Sequence, residues 1–409
     1  MEKNKKSKKR KRWIRFRHTV ITLLAFLILT PIIHIKYRIK IERFQGRKNQ
    51  NYLVLLNHQT PFDQFFVGIS FRRALYYVAT EDIFSLGFLS TLLRFAVAPI
   101  PIKKQTTDIA AVMNCIRVAK EGGSIVIAPE GNRTYSGKTE YMSPVIASLA
   151  KKLQLPIALY RIEGGYGAEP RWSDKVRHGK MKAYVSRVVE PDEYRDLSDD
   201  ELYRLIVDGL YVDEAKKDYT YSSHRRAEYL DRCLYVCPKC GFAKLISNKN
   251  TLTCSSCKMQ VRYEINKTFT WNSDIPQFKF VNDWYEYQKD FVNRYDPFEY
   301  TDTPVFTDTS SIYEVILYKK KYRLKKTVSI SLFGDRITIN DGCDDEMVFP
   351  FNEVTTVAVL GRNKANIYYG QKVYQLKGDK RFNALKYVNL FFRYQNITKG
   401  DPNGKFLGL

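Results

Sequence analysis

Between residues 50 and 190, short apolar runs alternate with amphipathic stretches, and this alternation leaves the chain few folds to choose from. The runs YLVLL (52–56), ALYYVA (74–79), VAPIPI (97–102), SIVIAP (124–129), PIALYRI (156–162) and MKAYVSRVV (181–189) have the length and apolar character of buried strands. SLGFLSTLLRF (85–95), TTDIAAVMNCIRVAKEGG (106–123) and MSPVIASLAKKL (142–153) carry helical periodicity between them. Strands separated by helices predict an α/β layered fold with a mostly parallel sheet. In such sheets ligands sit at the carboxyl ends of the strands.

Two of those strand ends carry chemistry. His58, one of five histidines, follows the first run, and Asp63 stands five positions later. Thr60-Pro61-Phe62-Asp63 also has the marks of a helix start, so a capping carboxylate and a loop histidine are the plain structural alternatives. The fourth run continues into Pro129-Glu130-Gly131, then Arg133 and Thr134. Glycine lets a backbone approach a ligand closely, and arginine at a strand end holds a phosphate bidentately. An ordinary polar turn is the alternative there.

Together the two stretches resemble the glycerolipid acyltransferase superfamily, of the 1-acylglycerol-3-phosphate acyltransferase type, over roughly residues 45–195. Its NHxxxxD motif is matched by Asn57, His58 and Asp63, and its PEGxR motif by Pro129, Glu130, Gly131 and Arg133. Ala128, Asn132 and Thr134 depart from the usual Phe, Thr and Ser of FPEGTRS, and Leu155-Pro156-Ile157 resembles a fourth motif. Where a second motif brings arginine after a strand, this chain offers Lys103 and Lys104, a point charge in place of a fork.

The resemblance implies acyl transfer from acyl-CoA or acyl carrier protein to lysophosphatidate, giving phosphatidate. His58 is the implied general base, since imidazole with a pKa near ~6.5 suits proton removal at neutral pH. Asp63 is the implied partner of the other ring nitrogen, fixing the tautomer. Asn57, Lys103, Glu130, Gly131, Arg133 and Thr134 are the expected substrate-binding residues, with Arg133 on the glycerol phosphate. An acyltransferase with another lysolipid or glycerol 3-phosphate as acceptor is one alternative. A lipid-binding scaffold built on a silent acyltransferase fold is the alternative from another class. Cys115, within a helical pattern, is expected to pack as a small hydrophobe.

Charge and the N-terminus point to a membrane. The 409 residues carry a formal charge of +24, which implies an anionic partner. Residues 1–17 hold six lysines and four arginines against one glutamate, and the almost wholly apolar TVITLLAFLILTPIIHI (19–35) follows. That run spans roughly 25 Å as a helix, slightly short of a ~30 Å hydrocarbon core. No small-residue cleavage site follows it, which disfavours a signal peptide. Basic residues flank both ends, so a monotopic or re-entrant anchor bent at Pro31 is expected rather than a single-pass span. Anionic lipid on a cytoplasmic membrane face then becomes the expected partner, and nucleic acid is not.

Beyond residue 195 the pattern changes. LSDDELYRLIVDGLYVDEAKK (197–217) reads as a helix. Cys237-x2-Cys240 and Cys254-x2-Cys257 are paired knuckles suited to a structural zinc ribbon, with disulfides as the alternative. From about residue 303, some seven short alternating strands and a closing helix pattern (381–395) resemble a pleckstrin-homology or GRAM-type small barrel. The expected organisation is a basic tail and apolar anchor (1–44), the acyltransferase domain (45–195), a helical connector (196–232), the ribbon (233–263), an aromatic-rich linker (264–302) and the barrel with its helix (303–409).

Overall fold

Two large sheets with a cysteine-bearing module between them account for most of the chain. The computed structural model describes residues 12–47, 49–102, 108–272, 277–316 and 321–401. In the N-terminal half, seven strands lie in the order Ile39–Ile41, Met181–Val189, Ile157–Glu163, Leu53–Leu56, Ser124–Ile127, Leu75–Thr80 and Ile100–Ile102. The run of strands from Ile157–Glu163 to Ile100–Ile102 is parallel throughout. Met181–Val189 runs antiparallel to it. Every residue of Leu53–Leu56 is buried, which is why its sequence is apolar without alternation.

Both faces of this sheet are covered. On one, Cys115 and Val118 of the helix Ile109–Lys120 pack with Ile146 and Ala150 of Val145–Leu153 and with Leu202 and Ile206 of Asp199–Leu210. On the other, Phe66 and Val67 of the helix Asp63–Phe71 pack with Ile33 and Tyr37. The helix expected over 197–217 ends at Leu210, because the chain beyond it is recruited by another loop. Thr139 donates its N–H to the Val212 carbonyl at 3.0 Å, and Glu214 donates to that of Gly137 at 2.9 Å.

The apolar N-terminal segment is one helix, Phe16–Tyr37, of 22 residues, with Pro31 inside it. The chain does not reverse at Pro31, so the expected bend is corrected to a continuous helix. This helix is long and apolar enough to cross a membrane. Yet one of its faces is packed against the α/β half at both ends. Near its start, Trp13 Nε1 donates to the Ala98 carbonyl at 2.9 Å, and His18 Nδ1 lies 3.2 Å from the Tyr76 hydroxyl. Near its end, Tyr37 meets Phe62 and Phe66 edge-on. The other face leaves Leu23, Leu24, Leu27, Ile28, Ile32 and Ile35 exposed.

In the C-terminal half, the knuckle strands Val236–Cys237 and Gly241–Phe242 precede an antiparallel sheet of Leu245–Asn248, Thr251–Cys254, Gln260–Tyr263 and Phe269–Trp271. A seven-stranded antiparallel sheet follows, in the order Met347–Pro350, Arg336–Ile339, Tyr322–Leu332, Phe306–Glu314, Lys372–Gly378, Lys364–Tyr369 and Val354–Leu360. The helix Leu385–Thr398 closes it, burying Leu385, Val388, Leu390 and Phe391. Tyr135 and Trp172 of the N-terminal half share one apolar core with the cysteine module and this last sheet.

Gly68 lets the N-terminal helix approach the domain closely: a Cβ there would lie 2.2 Å from the Phe26 ring. Gly68→Val is therefore expected to lift that helix from its seat, at a cost of about 1–3 kcal/mol. Limited proteolysis should then cut between residues 16 and 37 faster than in the parent. Unchanged protection would mean that the helix is held elsewhere.

Candidate active site

Strand register brings the two motifs together. Leu55 lies opposite Ile127 in the parallel pair, so the residues three beyond each, His58 and Glu130, leave the sheet side by side. The His58 N–H donates to Glu130 Oε1 at 2.8 Å, and the His58 carbonyl accepts from the Thr134 N–H at 3.1 Å. Both halves of the histidine's backbone are thus held by one loop. The same Glu130 carboxylate accepts the Glu140 N–H at 2.8 Å. Burial pushes the Glu130 carboxyl up to about 8, against the opposing pull of these two N–H donors.

His58 Nδ1 lies 2.7 Å from Asp63 Oδ2. Asp63 is buried and also accepts from the Gln59 N–H at 2.7 Å, the Thr60 N–H at 2.9 Å and Thr60 Oγ1 at 2.6 Å. Surrounded by donors, this carboxylate is an acceptor, so Nδ1 carries the proton and Nε2 presents a lone pair. The helix begins at Asp63 itself. Its carboxylate still binds the Thr60 N–H, and Thr60 Oγ1 accepts the Phe62 N–H at 3.1 Å, so Asp63 caps the turn and orients the histidine at once. The imidazole keeps 26% of its side chain accessible, so its other nitrogen is open to a partner from solvent, a geometry that a general base could use.

Next to this pair lies a cationic group. Arg133 Nη1 is buried and has no hydrogen-bond partner among the described residues. Burial, with the guanidinium groups of Arg171 and Arg362, lowers the Arg133 pKa to about 10. Arg171 is fully engaged: Nη1 donates to the Arg133 carbonyl and Nη2 to Asn132 Oδ1, both at 3.0 Å. Gly131 takes φ +68°, with open space where a Cβ would stand. A half-buried guanidinium with a free nitrogen beside an open glycine turn can receive an anion.

Other residues of the two motifs serve the backbone. Asn57 donates Nδ2–H to the Ile162 carbonyl at 2.8 Å and accepts the Ile162 N–H at 2.7 Å, locking neighbouring strands together. Thr134 Oγ1 donates to the Lys138 carbonyl at 2.7 Å and accepts the Gly137 N–H at 3.0 Å. Lys103 and Lys104 lie outside the described residues, as does most of the basic tail. Cys115 is buried, and burial pushes its thiol up to about 12, which suits packing and not nucleophilic attack. Arg171, Glu169 and Arg362 do not belong to either motif. Each is isolated in sequence, and only folding gathers them.

The four knuckle cysteines form a second cluster. The Sγ atoms of Cys237, Cys240, Cys254 and Cys257 all lie within 4.8 Å of one another. Cys237 and Cys257 are separated by 3.7 Å, and Cys240 and Cys254 by 3.9 Å. A tetrahedral ion with bonds of about 2.3 Å would set such separations near ~3.8 Å, whereas a disulfide would need about 2.05 Å. All seven cysteines are free thiols. The cluster fits a metal and not a pair of disulfides.

The family model described as Acyltransferase matches residues 37–161. Among solved structures, the crystal structure of the 1-acyl-sn-glycerophosphate (LPA) acyltransferase PlsC from Thermotoga maritima is similar at 20% identity and a TM-score of 0.38. That match covers 47% of this chain and 74% of that one. The solution structure of the N-terminal PH domain of human ARAP2 is similar at 15% identity and a TM-score of 0.19, covering 22% of this chain and 81% of that one. No curated protein matches the chain. The family match takes in His58, Asp63, Glu130 and Arg133, so the paired imidazole and carboxylate lie inside the segment that is similar to acyltransferases.

Proposed function

We propose that this protein is a membrane-associated acyltransferase that moves a fatty acyl group from acyl-CoA or acyl carrier protein to the sn-2 hydroxyl of lysophosphatidate, giving phosphatidate. The observation that carries the proposal is the 2.7 Å contact between His58 and buried Asp63, at the carboxyl ends of parallel strands inside the matched segment. The free nitrogen of Arg133 supports an acceptor bearing phosphate.

In the reaction, His58 Nε2 takes the proton of the acceptor hydroxyl as its oxygen attacks the thioester carbonyl. The new C–O bond forms, the C–S bond breaks, and the imidazolium returns the proton to the departing thiolate. Asp63 holds the ring in the required tautomer and stabilises the imidazolium between these steps. The nucleophile is the substrate's own hydroxyl, so no acyl-enzyme forms.

The helix Phe16–Tyr37 is read as an in-plane, monotopic anchor on the cytoplasmic face. A helix whose inner face is packed on a water-soluble domain at both ends cannot also be surrounded by lipid across a bilayer. Its outer apolar face, with Phe88, Leu89, Leu92 and Phe95 of the adjoining helix Phe88–Ala96, forms an exposed apolar surface suited to the interfacial layer. Arg17, lying 4.1 Å over the Phe95 ring, joins the two helices. The cysteine cluster is read as a structural zinc centre, since a closed set of four thiolates leaves no position for a substrate. The last sheet and helix are read as a pleckstrin-homology or GRAM-type module.

Purified protein with labelled acyl-CoA or acyl carrier protein is expected to acylate lysophosphatidate. His58→Ala should lower turnover by roughly 10² to 10⁴-fold, and Asp63→Asn should also impair it strongly. Both variants should still float with anionic liposomes. Full activity of His58→Ala would remove the mechanism; no product with any donor or acceptor would favour the scaffold reading.

The metal reading is checked by elemental analysis, which should find one zinc per chain. Stripping the ion, or Cys254→Ser, should lower the thermal midpoint, because Cys254 belongs to the shared core. Metal-free protein that melts like the parent would count against a structural ion.

A further inference from the structure

The last sheet reaches back to the side chains around the Arg133 loop. Its strands Val354–Leu360 and Lys364–Tyr369 are joined by a tight turn in which Gly361 has φ +62° and Asn363 Nδ2 donates to the carbonyls of Gly378 at 2.9 Å and Asp379 at 2.7 Å. The turn is therefore held rigidly. At its tip, Arg362 Nη2 lies 2.5 Å from Glu169 Oε1, and Nη1 lies 3.3 Å from Asp174 Oδ1. The neighbouring Gly361 carbonyl accepts from Arg171 Nε at 3.4 Å, and Arg171 is the residue that holds the Arg133 loop.

Charge does not balance in this region. Glu169 is shared by Arg362, by Lys36 at 3.7 Å and by the Tyr37 hydroxyl. Asp174 is shared by Arg362 and Arg232. Two carboxylates thus face Lys36, Arg232 and Arg362, and with Arg133 and Arg171 alongside only Asp63 is added on the acidic side, so five cationic groups meet three carboxylates. Arg133 keeps a buried nitrogen without a partner, and Arg362 keeps 29% of its side chain accessible. Like charges held together this way are relieved by an anion. A phosphate monoester, with several acceptor oxygens and up to two negative charges, offers more than one guanidinium fork can use.

We propose that the acceptor head-group site is built across the two halves of the molecule, with Arg362 of the C-terminal sheet as its second phosphate-recognising residue beside Arg133. This rests on the reading of the acceptor as a phosphate-bearing lysolipid. It makes Arg362 a specificity residue that distinguishes anionic from neutral acceptors. It also gives the C-terminal sheet a part in substrate selection.

The test uses the full chain and three variants, Arg362→Ala, Arg362→Lys and Arg133→Ala, with KM measured separately for lysophosphatidate and for the acyl donor. Arg362→Ala is expected to raise the lysophosphatidate KM roughly 10- to 100-fold, the effect of losing a hydrogen bond to a charged group. Its donor KM should stay at the parent value, and Arg362→Lys should recover part of the loss. Loss of affinity for both substrates together with a lowered thermal midpoint would assign Arg362 to holding the two halves together, and would overturn the proposal. If Arg133→Ala raises the acceptor KM and Arg362→Ala does not, the shared site fails while the acyltransferase reading stands. If neither variant moves it, the phosphate reading itself falls.

Discussion

The backbone of His58 is gripped from both directions by the loop that follows the neighbouring strand, and the geometry of the candidate site depends on that grip. Its N–H goes to the Glu130 carboxylate and its carbonyl receives the Thr134 N–H. An imidazole can act as a base only where its ring nitrogens point, and its direction is set first by the backbone and then by Asp63. Glu130 is an expensive way to fasten a loop, since burial raises its pKa to about 8. A buried carboxyl is tolerated when both oxygens are used, and here one binds the histidine loop and the other the Glu140 N–H. One side chain thus sets the spacing between the base and the segment that carries Arg133.

The N-terminal helix extends the same logic to the membrane. Its last residues, Lys36 and Tyr37, bind Glu169, which also pairs with Arg362. Lys36 further lies 3.8 Å over the ring of Phe62, one residue before Asp63. The apolar helix therefore ends among the side chains that surround the His58–Asp63 pair, and not at a flexible tether. The outer face of the helix is apolar: six large aliphatic side chains from Leu23 to Ile35 remain exposed, and removing such surface from water is favourable by about 25 cal/mol per Å².

Much of this architecture was legible because it is encoded locally. The six strand runs of the α/β half are apolar and short, and each falls on an observed strand; the central Leu53–Leu56 lacks alternation because a parallel strand buried on both faces needs none, while the antiparallel Met181–Val189 is partly exposed. The cysteine pairs announce a cluster by spacing alone, and the structure brings all four together. His58 and Asp63 were legible for the same reason, being five residues apart across a single turn. What sequence could not supply was anything decided at long range. The helix stop at Leu210 is set by pairing with the loop at 137–139, and Pro31 alone did not reveal that the helix would continue through it. Glu169, Arg171 and Arg362 lack any motif, and Arg362 meets its partner across 193 residues of chain. The two asparagine contacts to Ile162 likewise show that a motif residue can serve the backbone, a distinction that spacing does not carry.

The position of Arg362 depends in turn on the cysteine module, because the segment 231–237 is the seam between the halves. Arg232 donates to the Trp172 carbonyl at 3.0 Å and to both Asp174 oxygens, while Asn383 Nδ2 reaches the Asp231 carbonyl at 2.9 Å from the C-terminal sheet's side. Gln288 accepts the N–H groups of Tyr235 and Val236 and donates to the Cys233 carbonyl, and Trp284 donates to the carbonyl of Val236. Cys237, the first thiol of the cluster, follows directly. An ion bound by the four thiols would therefore fix the end of a strand whose other contacts set where the sheet bearing Arg362 sits. It would act there through packing and not through chemistry, because close-packed protein interiors transmit strain instead of absorbing it.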